Sequence, residues 1–142
     1  MSAMQFWISV TPKDHVLEGL GDGFIQAQGD KAAPLHQLAK GDVVFFYSPG
    51  TLFRAGEILQ AFTAVARVTD AKAAVVKTGR TVQAWRRRIE PLPSDEAPAA
   101  PLVSELGFIT DKEHWATAMG RGMFAISKAD AQRIAAAMKA TL

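Results

Sequence analysis

The chain has no cysteine, which excludes disulfides, thiolate metal sites and a cysteine nucleophile. Net charge is also nearly absent: 16 Lys and Arg against 14 Asp and Glu leave +2 over 142 residues. Total charge therefore announces no polyanionic partner, and only the distribution of charge can argue for one. No apolar run approaches the roughly 18 residues of a membrane-spanning helix. The opening "MSAMQFWISV" has no basic start and "FWISV" is too short for a signal-peptide core, so the sequence predicts a cytoplasmic protein. Catalytic signatures are missing too. There is no G-x-S-x-G, no H-E-x-x-H, no Walker pattern and no G-x-G-x-x-G. His15, His36 and His114 match no local ligand spacing. The reading is a binding module rather than an enzyme, a monomer without metal or cofactor.

What is present fits one α+β domain spanning residues 1–142, since domains commonly run to about 100–150 residues. Strands are expected at 5–10, 42–48, 59–70, 81–92 and 123–127; the glycine-flanked 21–30 reads as a short strand or a loop, and 73–77 as a pairing strand or a loop edge. Pro49-Gly50 should end the second strand and open a loop over 49–57, and "KTGR" (77–80) reads as a turn. Pro12 and Gly19 frame a short helix, and Pro34 and Gly41 frame another. Four of the seven prolines lie in 91–101, a stiff crossover, followed by a short helix ended by Gly107. Ser127 caps the last helix, Asp130 stands at the capping-box position, and Ala131, Ile134, Ala135 and Met138 form its buried stripe. Five to six strands, single-turn helices and one closing helix predict a small mixed barrel.

The charge that exists is clustered. Lys72, Lys77, Arg80, Arg86, Arg87 and Arg88 fall between Ala71 and Ile89 with no acid among them. In "TVQAWRRRI" (81–89), strand alternation puts Gln83, Trp85, Arg87 and Ile89 on one face and Val82, Ala84, Arg86 and Arg88 on the other. Arginines neutralise phosphates, and a neighbouring aromatic offers a stacking face for a base. The plainer reading is a half-exposed strand with Trp85 in the core and its arginines paired with Glu90 or Glu105.

The stretches "WISVTPKDHV" (7–16), "GFIQAQGDKAAPLHQLAKGDVVFFYSP" (23–49), "LQAFTAVARV" (59–68), "AWRRRIEPLP" (84–93), "PLVSELGFITDKEHW" (101–115) and "GRGMFAISKADAQRI" (120–134) together resemble the EVE domain family of the PUA-like superfamily. The resemblance covers nearly the whole chain in order. It implies a PUA-like bent β-barrel with short helices, and a reader of modified bases in DNA or RNA, as the related YTH domains bind methylated adenine. In YTH relatives a tryptophan follows the first helix and completes a methyl cage. Here Phe24-Ile25-Gln26 stands in its place.

The resemblance and the residues together nominate a site. Trp7, Ser9 and Thr11 lie on or just past the first strand, and Phe24 and Gln26 stand in the region that matches the YTH tryptophan. Tyr47 and Ser48 end the second, and Trp85, His114 and Trp115 are the remaining base-binding candidates. Arg86, Arg87, Arg88 and Arg121 are the phosphate candidates. Trp7 and Trp85 also fit the core, and Tyr47-Ser48-Pro49 also fits simple strand termination. Two rival functions use the same pocket: a binder of free nucleobases, nucleotides or anions, and a nucleic-acid-modifying enzyme with Glu57, Asp111 or His114 as its acid or base.

Overall fold

The computed structural model describes residues 4–52, 55–78 and 82–142. Strand β1 (Phe6–Val10) runs parallel to β3 (Val43–Leu52) on one side and antiparallel to β8 (Met123–Ile126) on the other. Strands flanked on both sides and covered on both faces read as continuous apolar runs, and "FWISV" and "VVFFY" are such runs. Alternation divides them between two cores. Phe6, Ile8, Val43, Phe45 and Tyr47 enter one core, packed with α3 (Trp115–Ala118), α4 (Lys128–Ala137) and the segment around Leu102–Ile109. Trp7, Val44 and Phe46 enter the other, under α1 (Lys13–Asp22) and α2 (Ala33–Gln37).

The remaining described strands are β2 (Phe24–Gln28), β4 (Ala55–Val68), β5 (Ala74–Thr78), β6 (Val82–Pro91) and the two-residue β7 (Ala97–Pro98). The sheet order is β2-β6-β4-β3-β1-β8, with β5 beside β6 and β7 beside β4. The described residues thus hold eight strands rather than five to six, the additions being short ones. β6 serves two neighbourhoods: its last residues pair with β4, and its first half lies between β2 and β5. The end strands β2 and β8 are not paired with each other, so the curled sheet is a half-barrel with an open seam.

Three local expectations need correction. Pro49-Gly50 does not end β3. The strand continues to Leu52, and register shifts between Ser48 and Gly50 absorb the proline's missing N–H. The expected loop at 49–57 is therefore largely paired hairpin, with Phe53 and Arg54 outside the described residues. Gly19 does not end α1 either. The helix runs to Asp22, and Gly23 at φ +82° closes it, its N–H bonding the Gly19 carbonyl at 2.7 Å. Gly19 instead permits close packing, because a Cβ there would lie 2.8 Å from the Phe24 carbonyl oxygen of β2. The third concerns α4. Ser127 Oγ accepts from the Asp130 N–H at 3.1 Å as expected, but the Asp130 carboxylate accepts from Gly107 N–H (2.8 Å) and Phe108 N–H (3.0 Å). It tethers a distant loop to the helix rather than completing a capping box. The turn expected at 77–80 and the strand start at Thr81 involve Gly79, Arg80 and Thr81, which lie outside the described residues.

Candidate functional site

The open seam of the half-barrel is a cleft of about 860 Å³. Both sheet ends border it: β2 on one side, and the turn Gly120–Met123 leading into β8 on the other. The end of β1 supplies Ser9, Val10 and Thr11, and α1 forms a further wall. Gly122, at φ +78°, shapes the turn, and its carbonyl accepts from Val10 N–H at 2.7 Å. Glycine alone takes such backbone readily.

Ser9 and Thr11 bring their hydroxyls within 3.0 Å of each other in the cleft. Either oxygen can donate or accept, so the pair adapts to different base edges. Ser48 supports them without lining the cleft. It is fully buried, donates to the Thr11 carbonyl at 2.7 Å and lies 2.8 Å from Thr63 Oγ1. On β6, half-buried Arg86 reaches across to β2. Its Nε donates to Gln26 Oε1 at 2.7 Å, and its Cζ stands 3.9 Å from the Phe24 ring centroid. Arg121 lines the turn, its Cζ 4.5 Å from the Phe124 centroid. Lys31 is the third cation, while Glu18 and Asp22 of α1 give that wall the opposite sign.

Of the candidates read from the sequence, Ser9, Thr11, Phe24, Gln26, Arg86 and Arg121 converge here. Others do not. Trp7 is 5% exposed, sits in the core under α1 and donates from Nε1 to Asp42 Oδ2 at 3.1 Å. Tyr47 belongs to the opposite core, where burial pushes its phenol up to about 12. Trp85 packs edge-on against His36, centroids 4.6 Å apart, away from the cleft. Trp115 packs against Tyr47 from the far side, and His114 Nδ1 makes an exposed 3.0 Å hydrogen bond with Asp111 Oδ2. No tryptophan therefore lines the cleft, and its rings are Phe24, Phe46 and His15. Glu57, Asp111 and His114 are all outside it.

The arginine triplet divides three ways. Arg86 faces the cleft, and Arg88 is exposed beside it but outside the lining. Arg87 is 0% exposed and cannot reach a phosphate. Its guanidinium binds Asp70 Oδ1 (2.7 Å), the Asp70 carbonyl (3.0 Å) and the carbonyls of Leu35 (2.7 Å) and Leu38. Helical spacing could have found His15, Glu18 and Asp22, which share one face of α1 and line the cleft. Asp42 was also missed. It is buried, and its carboxylate accepts from Gln5 N–H (3.0 Å), Ala39 N–H (2.9 Å) and Trp7. Among the described residues no three His, Asp or Glu side chains converge as metal ligands, and no helix is long and apolar enough to cross a membrane.

Comparison with known proteins gives the same shape and names a family. A protein of Rhodopseudomonas palustris solved by NMR superposes with a TM-score of 0.61 at 11% identity, covering 96% of this chain and 94% of that one. A ZmASCH mutant protein from Zymomonas mobilis superposes at 0.60 with 7% identity, covering 99% and 100%. These likenesses establish the fold as PUA-like, here a curled half-barrel where the sequence predicted a bent β-barrel. The UPF0310 protein of Mycolicibacterium gilvum is 39% identical over 139 residues, covering 98% of this chain and 99% of its own. The UPF0310 protein YdcG of Bacillus subtilis is 32% identical over 133 residues, covering 94% and 91%. The EVE domain model matches residues 5–137, and the chain belongs to the EVE domain family.

Proposed function

We propose that the protein is a nucleic-acid-binding module that takes one base, a modified one, into the seam of its half-barrel, and that it performs no chemistry on it. The cleft carries this reading. Its volume of about 860 Å³ suits a small planar ligand, since such sites commonly span roughly 300–1,000 Å³. It combines apolar surface that includes the Phe24 ring, the Ser9–Thr11 hydroxyl pair for an edge, and cations from two walls. Membership of the EVE family is consistent with nucleic-acid or ligand binding. Taking a base out of a stack costs a few kcal/mol, and stacking returns about 1–3 kcal/mol per base. Edge contacts from the hydroxyl pair must supply the remainder.

The test is calorimetric titration with matched short DNA and RNA oligonucleotides, single- and double-stranded, unmodified and carrying modified cytosine or adenine, at two salt concentrations. Tight binding to one modified base and weak binding to its parent is the expected result. Uniform, steeply salt-dependent binding would discard base reading. Binding of free nucleobases or nucleotides with no gain from flanking residues would make the protein a small-molecule module. An oligonucleotide recovered with altered mass would make it an enzyme.

A further inference from the structure

We infer that the phosphate attached to the bound nucleoside itself enters the cleft and is gripped by Arg86, so that a nucleoside monophosphate is the smallest complete ligand. The inference rests on the base-binding reading and adds the chemical group that orients the base.

Arg86 is held as a fork before any ligand arrives. Gln26 occupies its Nε edge at 2.7 Å, and Phe24 covers one face of the guanidinium at 3.9 Å. Its two terminal nitrogens carry no hydrogen bond or ion pair among the described residues. Guanidinium stays charged at any accessible pH and presents paired N–H donors that match two phosphate oxygens. An arginine already fixed in one rotamer loses less entropy on binding than a free one. Neither neighbour offers this. Arg87 spends its donors on Asp70, Leu35 and Leu38, and Arg88 stands outside the lining. Arg86 is also the half-buried cation of the lining, whereas Lys31 and Arg121 are exposed. Glu18 and Asp22 repel an anion from the α1 wall and leave the β2–β6 wall as its place. With the phosphate fixed there, the sugar and base extend toward Ser9 and Thr11, which limits the orientations the hydroxyl pair must read.

The experiment compares nucleosides with their 5′- and 3′-monophosphates by calorimetry. The probes are adenosine, N6-methyladenosine, cytidine and 5-methylcytidine, their deoxy forms, and inorganic phosphate. At least one monophosphate should bind at least tenfold tighter than its nucleoside. Arg86→Gln should bring the two within about twofold, while nucleoside affinity and melting temperature are retained. Arg88→Gln should leave the tenfold difference unchanged. Gln26→Leu, which frees the fork, should weaken the monophosphate more than the nucleoside and so shrink the tenfold difference. Three results would overturn the inference: equal affinity for nucleoside and monophosphate, a phosphate gain that survives Arg86→Gln, or no binding of any monophosphate. Oligonucleotide binding measured alongside separates this failure from failure of the base-binding reading, which falls if the oligonucleotides do not bind or bind uniformly whatever their modification.

Discussion

Three polar residues in the interior set the strongest residue-level expectations. Removing Arg87 would leave Asp70 without its ion pair and three carbonyls, those of Leu35, Leu38 and Asp70, without this donor. Orphaning buried acceptors costs about 1–3 kcal/mol each, while Asp70 stays partly solvated, so Arg87→Ala should lower the unfolding free energy by about 2–4 kcal/mol. Arg88→Ala, at an exposed side chain, should stay within about 0.5 kcal/mol. Denaturant unfolding of the two variants checks the contrast. Asp42→Ala would strand three N–H donors and should cost about 2–4 kcal/mol in the same assay. Tyr47 is the single tyrosine, so its ionisation can be followed alone by absorbance. Burial raises its pKa to about 12 in the fold, against about 10 in an unfolded chain. The unfolded state therefore loses the proton first. Stability is unaffected by this group below about pH 10 and falls between about 10 and 12, by up to about 1.4 kcal/mol per pH unit. Phenolate absorbance should stay silent at pH 10.5 in native protein, and Tyr47→Phe should flatten that part of the stability curve.

At the level of elements, the position of α1 decides whether the cleft has a wall. Gly19→Ala places a Cβ 2.8 Å from the Phe24 carbonyl oxygen, and backbone on both sides leaves little to yield. Overpacking of this kind costs about 1–3 kcal/mol. The variant should melt lower, and its displaced helix should weaken oligonucleotide binding beyond that loss. Gly21→Ala, where a Cβ meets nothing within 4 Å, is the matched control. The same elements show what a sequence discloses. The runs 6–10 and 43–47 were legible because strands covered on both faces leave unbroken apolar stretches. Pro49 misled because proline is tolerated at a bulge, and a bulge depends on register with a partner strand. Gly19 misled because its role is close approach to β2 rather than helix termination.

For the whole molecule, the seam between sheet ends is what the sequence could not display. It brings together the end of β1, one face of α1, β2, part of β6 and the turn at 120–122, segments spread along most of the chain. Ser9, Thr11, Phe24, Gln26, Arg86 and Arg121 could be nominated because their residue types suit the chemistry. The tryptophans suited it equally well and went to the cores or the far surface. Alternation placed Arg86 and Arg87 on opposite faces but could not say which face was buried. That depended on the Leu35 and Leu38 carbonyls, 52 and 49 residues away in sequence. With Arg87 committed inside, binding should have a shallow salt dependence, about −0.7 in log K per log salt for each phosphate held on a single strand.

The most direct measurement is calorimetric titration of the modified and unmodified oligonucleotide panel against wild type, Arg86→Gln and Arg88→Gln. Calorimetry is the suitable readout because no tryptophan lines the cleft. A base held in the seam predicts tight binding to one modified oligonucleotide, a loss of at least tenfold in Arg86→Gln and a change under about twofold in Arg88→Gln. Equal losses in the two variants would place binding on the outer basic surface, and no binding to any oligonucleotide would contradict the account.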